Sequence, residues 1–327
     1  IEGGFCDPVR VFIKDEPHKM KKILDKRLRL IFSVGIVDQC VERFFAQTQN
    51  KTEKWMWHRL PSLIGIGFDP SHVSLMLDSD NWFSGTVIES DVSGWDWTVQ
   101  ECELLHAGEL RISLIHNCPK TLARVIRGRY HCMLHKLLCL SNGETFVGPV
   151  GIMASGSYLT SSDNSHMRAT LGLRARYNLG VEISQSLIKC VGDDCVEEDD
   201  VPVEALRSEY ERLGHKIKDI RVSSSDDFEL CSHRFDHGTP RPLTVAKSVY
   251  KWAQGSRGGD QTEALIEFTR NIDATTRQKV LSIISQYGGA VKDSHEQTTD
   301  EEELHEADAR DAASPAEYAA GSWSSSC

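Results

Sequence analysis

Two apolar runs in this chain end in aspartates, and that pattern limits its fold more than any other feature. Thr86-Val-Ile-Glu-Ser-Asp91 opens the stretch Asp91-Val-Ser-Gly-Trp-Asp96, and Ser186-Leu-Ile-Lys-Cys-Val191 runs into Gly192-Asp193-Asp194. Short apolar runs suit buried strands, and Gly-Asp-Asp suits a tight turn. Carboxylates brought to the ends of adjacent strands make a hard-oxygen site for Mg²⁺ or Mn²⁺. Between the two runs lies Ser155-Gly-Ser-Tyr-Leu-Thr160-Ser-Ser-Asp-Asn164, whose hydroxyl and amide groups can hold a nucleotide sugar. Each signal alone is ordinary. The turn reads as a solvated hairpin tip, Asp91 as a helix cap, and Thr160 with Asn164 as neighbours on a helix surface. Their order along one chain points to phosphoryl transfer on nucleotides.

The flanking pattern supplies further elements. Val9–Ile13 and Leu28–Val34 read as extended runs, Val37–Gln49 as an amphipathic helix, and Gly65-Ile-Gly-Phe-Asp-Pro70 as a loop. Helices are expected over Gln100–His116, Tyr158–Ala175, Pro202–Gly214 and Gln261–Tyr287, with a strand pair over Phe228–Phe235. The glycines of Gly148-Pro-Val-Gly151 and Ser155-Gly156 suggest a mobile loop. Trp95 and Trp97 read first as packing residues and second as stacking platforms.

A net charge of −11 opposes nucleic-acid binding, but its distribution removes the objection. Asp293–Cys327 holds ten acids against one Arg, a net of −9, which leaves −2 for the body. Arg10–Arg29 carries eight bases against three acids, a net of +5. The acidic tail has no periodicity and is expected to be disordered. No run of about 18 apolar residues is present. Ile1 with no leader pattern suggests a piece cut from a longer chain. The ten cysteines have no framework spacing, so reduced thiols are expected. His131-Cys132, His135 and Cys139 loosely resemble a metal site, but no second Cys pair supports zinc, and packing is the simpler reading.

The ordered set resembles the catalytic region of a positive-strand RNA virus RNA-dependent RNA polymerase, of the sobemovirus and polerovirus type. Asp91 and Asp96 match its Asp-x(4)-Asp element, Ser155, Gly156, Thr160 and Asn164 its Ser-Gly-x(3)-Thr-x(3)-Asn element, and Gly192-Asp193-Asp194 its Gly-Asp-Asp. Lys14-Asp-Glu-Pro-His18 with Arg27 and Arg29 matches its basic finger segment, and Phe228–Phe235 its primer-grip hairpin. The resemblance covers about residues 8–255. It implies an α+β right-hand polymerase fold: fingers, palm and thumb, with an antiparallel palm sheet packed on helices. Residues 1–85 would then be partial fingers, 86–236 the palm with a fingers insertion around 117–150, 237–292 a short thumb, and 293–327 the tail. The longer N-terminal fingers region of the family does not precede the basic segment here.

The resemblance also implies roles. Asp91, Asp193 and Asp194, with the Val92 carbonyl, would hold two Mg²⁺ ions, with Mn²⁺ able to stand in. The ions would activate the RNA 3′-hydroxyl and stabilise the leaving pyrophosphate. Asp96, Ser155 and Asn164 would sense the ribose 2′-hydroxyl, with Gly156 and Thr160 in the same nucleotide-binding element. Lys14 and Arg29 would bind the triphosphate, and Lys26 and Arg27 could contact template. Cys231 and Ser232, at the tip of the hairpin, would contact RNA. A general acid is expected after the Pro202–Gly214 helix, with Lys216, Lys218 and Arg221 as candidates and Lys218 preferred. Lys19, Lys21 and Lys22 read as a solvated face. Partners would be template and nascent RNA, NTPs, a viral protein primer and other replication proteins, in replication complexes of the host cytoplasm. A reverse transcriptase shares the palm, but a bulky aromatic usually replaces the ribose-accepting acid there, and Asp96 with Asn164 speaks against it. A non-catalytic RNA-binding module is disfavoured by the clustered acids, which repel RNA unless cations neutralise them.

Overall fold

The computed structural model describes residues 6–18, 20–184, 186–255 and 259–287. The strands are β1 (Val9–Ile13), β2 (Leu30–Ser33), β3 (Thr86–Val92), β4 (Leu137–Leu140), β5 (Thr145–Val147), β6 (Ile188–Val191), β7 (Asp194–Glu198), β8 (Ile217–Ser224), β9 (Asp227–Leu230), β10 (His233–Asp236) and β11 (Thr239–Pro242). The helices are α1 (Met20–Leu24), α2 (Ile36–Trp55), α3 (Pro70–Leu77), α4 (Trp95–Thr98), α5 (Glu101–Ser113), α6 (Lys120–Leu134), α7 (Thr160–Asn178), α8 (Val203–Arg212), α9 (Val245–Gln254), α10 (Gly259–Phe268) and α11 (Ala274–Tyr287).

A seven-stranded sheet in the order β11-β10-β9-β8-β3-β7-β6 forms the centre, and each of its strand pairs is antiparallel. The apolar run of β3 is explained by its place. Ile88 and Val92 pack with Leu104 of α5, Ile126 of α6, Leu171 of α7 and Leu206 of α8, while Val87 joins Trp57, Met76, Phe228 and Phe235 in a second core. A strand buried on both faces carries no polar alternation. The smaller sheet, β2-β1-β4-β5, carries the basic segment between β1 and β2.

Several elements differ from expectation. The helix read over Gln261–Tyr287 is two, α10 and α11. Thr269 donates its hydroxyl to the Leu265 and Ile266 carbonyls, and the Asp273 carboxylate accepts from the Thr276 N–H, so one helix is closed and the next is opened. The α2 helix extends to Trp55, beyond Gln49, because Glu53 is buried there and pairs with His166. Two of the glycines in the segments read as a mobile loop allow close backbone approach. A Cβ on Gly151 would lie 2.3 Å from the Val99 carbonyl, and one on Gly156 would lie 2.4 Å from that of Phe32. Around His131, Cys132, His135 and Cys139 no metal cluster forms; among the described residues no three His, Cys, Asp or Glu side chains are grouped for one. The acidic tail lies outside the described residues.

Candidate active site

Strand register decides where the carboxylates go. In the β3–β7 pair Ser90 lies opposite Cys195, so the next step sets Asp91 beside Asp194. The β6–β7 hairpin closes through Gly192 and Asp193, with Gly192 at φ +66° and its N–H donating to Ser165 Oγ at 2.8 Å. Only a residue without Cβ takes that backbone conformation at no cost. On the other side, β3 pairs with β8 through Asp91–Asp219 and then Val92–Ile217. The register shift leaves Lys218 as the extra residue of a β-bulge, and its ammonium donates to Asp91. Of the three basic candidates only Lys218 reaches the cleft; Arg221 pairs with Glu89 and Glu229 elsewhere.

These residues open on a cleft of about 1020 Å³. One wall carries Asp91, Val92, Asp96, Asp193, Asp194 and Lys218, and the opposite wall Lys14, Lys21, Lys22, Arg27 and Arg29. Lys21 and Lys22, read as a solvated face, therefore belong to the cleft. Lys26 does not line it; it adopts φ +53° in the turn that ends α1.

Burial pushes the Asp194 carboxyl up to about 6, with Asp193 and Asp91 adding repulsion, and burial raises Asp193 as well, with Asp91 contributing. Carboxylates that repel one another in a partly dry site are suited to a divalent cation. No group of three is preassembled among the described residues, and the Lys218 ammonium supplies positive charge at Asp91. Oxygen-only donors with a cationic stand-in fit Mg²⁺ or Mn²⁺.

The ribose-sensing candidates divide. Asn164 Nδ2 donates to Asp96 Oδ1 at 3.3 Å, and its Oδ1 is buried without a partner. Burial raises Asp96 to about 6 despite that bond. Ser155 lines the cleft, and its Oγ accepts from the Phe32 N–H at 3.2 Å. Thr160 is not brought to the cleft; its hydroxyl donates to the Ala154 and Ser157 carbonyls at 2.8 and 2.9 Å, fixing the start of α7. Gly156 is also absent from the lining and serves the contact with β2. Cys231 and Ser232 form the β9–β10 turn with φ +51° and +59°. They border a neighbouring cavity of about 240 Å³, and Cys231 contacts the Asp194 carboxylate.

The two tryptophans separate. Trp95 is buried against His215, with ring centroids 5.0 Å apart, whereas Trp97 is 49 % exposed and lines the cleft with its edge on Phe32. Sequence reasoning missed Glu16, which gathers bases from two distant segments, and the buried Arg168–Glu197–Arg176 group beneath Asp91. For Glu16 a signal existed, an acid before Pro17 in a basic strip; for the buried group, Glu197 opens the acidic run Glu197-Glu198-Asp199-Asp200 and nothing there marks it as the buried one.

The sequence model described as viral RNA-dependent RNA polymerase matches residues 8–268. The chain belongs to this family. It is 36% identical over 267 residues to the Replicase polyprotein P2AB of Southern cowpea mosaic virus, covering 79% of this chain and 27% of that protein. It is 32% identical over 295 residues to the RNA-directed RNA polymerase of Mushroom bacilliform virus, covering 86% and 70%. The chain thus spans about a quarter of the cowpea virus polyprotein. The Sicinivirus 3Dpol RNA dependent RNA polymerase superposes with a TM-score of 0.69 at 17% identity, over 86% of this chain and 63% of that one. The fold is the expected right-hand one, built on the antiparallel sheet.

Proposed function

We propose that this viral polymerase chain performs RNA-templated RNA synthesis, joining NTPs to an RNA 3′-hydroxyl and releasing pyrophosphate. One observation carries the reading: four acids, Asp91, Asp96, Asp193 and Asp194, and five bases, Lys14, Lys21, Lys22, Arg27 and Arg29, line a single cleft. The family generally uses divalent ions. Here Asp91, Asp193 and Asp194, with Val92 at the bulge, would hold two Mg²⁺, which supply Lewis-acid charge stabilisation. Lys14 and Arg29 bind the triphosphate, Arg27 and the adjoining lysines hold RNA phosphates, and the Cys231–Ser232 turn supports the primer strand. Lys218 holds its proton beside Asp91 and donates it to the leaving pyrophosphate. The division into fingers to 85, palm over 86–236 and thumb from 237 is proposed with these roles. So are a protein primer and further replication proteins in host cytoplasmic complexes, supported only by the replicase polyprotein names of the relatives. Among the described residues no helix is long and apolar enough to cross a membrane.

The deciding experiment is primer extension on homopolymeric RNA with varied Mg²⁺. Template-dependent, Mg²⁺-dependent incorporation of complementary NTPs is expected, and its absence in the folded full-length replicase would sink the reading.

Ribose selection gives a second test. Asp96→Ala leaves Asn164 unpaired and removes the acid that meets the 2′-hydroxyl. Discrimination between GTP and dGTP is expected to fall by about two orders of magnitude, because a polar site that expects a hydroxyl rejects its absence strongly. The ratio of kcat/KM values reads this directly.

A third concerns pH. Metal binding requires ionised carboxylates, and Asp194 and Asp96 titrate near 6 in the metal-free fold. Mn²⁺ affinity, followed by electron paramagnetic resonance, is expected to fall about tenfold per pH unit below 6. In the absence of metal the sign for stability is the opposite. An acid with a raised folded pKa favours the protonated fold, so its contribution declines as pH rises from about 4 to about 6.

A further inference from the structure

The Glu16 side chain is 1% exposed, yet it meets four bases. Arg29 Nη1 donates to its Oε1 at 3.0 Å, and the Lys14, Lys247 and Lys251 ammonium nitrogens lie 3.5, 3.2 and 3.9 Å from its Oε2. Lys14 and Arg29 flank the basic turn and are joined by the Lys14 N–H to Arg29 carbonyl bond at 2.9 Å. Lys247 and Lys251 come from α9, over two hundred residues away in sequence, and are spaced four apart on one helix face. The helix is itself anchored. Trp252 is buried, and its Nε1 donates to Thr262 Oγ1 of α10 at 3.0 Å.

One buried carboxylate among four cations leaves a surplus of three positive charges around it. The bases are a third to a half exposed, so each keeps a side open to solvent while the carboxylate fixes the other. Burial alone would raise the Glu16 pKa, but the neighbouring Lys247, Arg29 and Lys14 cations hold it at about 2, so the acid stays ionised at any working pH. Without it, four like charges would face each other and swing out into water, and a polyphosphate would have to gather them again at an entropic cost.

We propose that Glu16 is a positioning residue for the incoming triphosphate, acting through a clasp that fastens Lys14 and Arg29 to Lys247 and Lys251 of α9. The proposal rests on the nucleotide-binding part of the function above. The clasp ties α9, which does not itself line the cleft, to the two bases that do.

The test uses the full chain with Glu16→Gln, with Lys247→Met/Lys251→Met, and with all three changes together. Two readouts are taken: GTP binding by equilibrium dialysis, and KM and kcat in primer extension. Glu16→Gln is expected to weaken GTP binding and raise KM on the order of tenfold with kcat changed far less, since the partners are partly solvated. The lysine pair variant keeps Glu16 matched with Lys14 and Arg29, so it retains a paired core if Glu16→Gln fails to fold. It should weaken GTP binding in the same direction, and the triple variant should be little worse than Glu16→Gln. Unchanged GTP binding in the lysine pair variant, or effects that multiply fully in the triple variant, overturns the clasp. A parent that binds GTP in a Glu16-dependent way but makes no RNA would instead remove the polymerase reading and leave the clasp standing.

Discussion

Asp193→Ala is expected to lower primer extension by about three orders of magnitude or more while RNA binding is largely kept. The size follows from the number of effects lost at one position. Asp193 sits in the two-residue turn between β6 and β7, on the same wall of the cleft as Asp91 and Asp194. Removing it takes away a proposed ligand of charges that stabilise several kcal/mol in the transition state, and each ~1.4 kcal/mol is a factor of ten in rate. The turn itself survives, because Gly192 supplies the left-handed conformation and its N–H is held by Ser165. The bases proposed to hold RNA phosphates, Lys21, Lys22 and Arg27, lie on the opposite wall and are untouched. Filter binding beside extension separates the two. A variant that keeps more than a tenth of the parent rate would show that Asp193 is not a ligand.

The second large effect is on stability. Glu197 of β7 is fully buried and accepts from Ser90 Oγ at 2.8 Å, from Arg176 Nη1 at 2.7 Å and from the Tyr210 hydroxyl, with Arg168 Nη2 at 3.3 Å. Burial works against its charge, but the two guanidinium groups outweigh that and keep its pKa below the usual range. Glu197→Leu leaves Arg168, also fully buried, without its carboxylate. An uncompensated buried charge costs about 3–5 kcal/mol, a large share of typical domain stability, and the melting temperature is expected to fall by roughly 10 °C. Ser90 precedes Asp91, so activity should be lost before unfolding is complete. The exposed Arg127–Glu109 pair is the contrast, and Arg127→Ala should leave melting unchanged. Equal melting temperatures for the parent and Glu197→Leu would remove the group's structural importance.

The sequence made the cleft's acids legible because backbone chemistry fixes them locally. Asp91 ends a strand, and Asp193 and Asp194 occupy a turn that needs Gly192. The Thr160 role was not legible in the same way, since whether a hydroxyl faces a ligand or its own backbone depends on how α7 begins. Trp95 and Trp97 look alike in sequence, and only the seating of α4 against His215 and Phe32 tells the buried ring from the open one. Lys247 and Lys251 carried no signal in the sequence. Their partner lies in another part of the fold, and long-range ion pairing leaves no periodic trace. The break at Thr269–Asp273 was hidden because the apolar pattern continues through it, while the side-chain bonds that interrupt the helix are compatible with either outcome.

The bulge at Lys218 makes the length of β8 a constraint separate from its composition. Exchanging one side chain there is a local change. Deleting Lys218 would make the pairing of Asp91 with Asp219 and of Val92 with Ile217 regular and remove the ammonium, whereas deleting Ile217 would set Lys218 opposite Val92, on the face away from Asp91. The strand's length at this point therefore sets where the Lys218 ammonium lies as firmly as the residue's identity does.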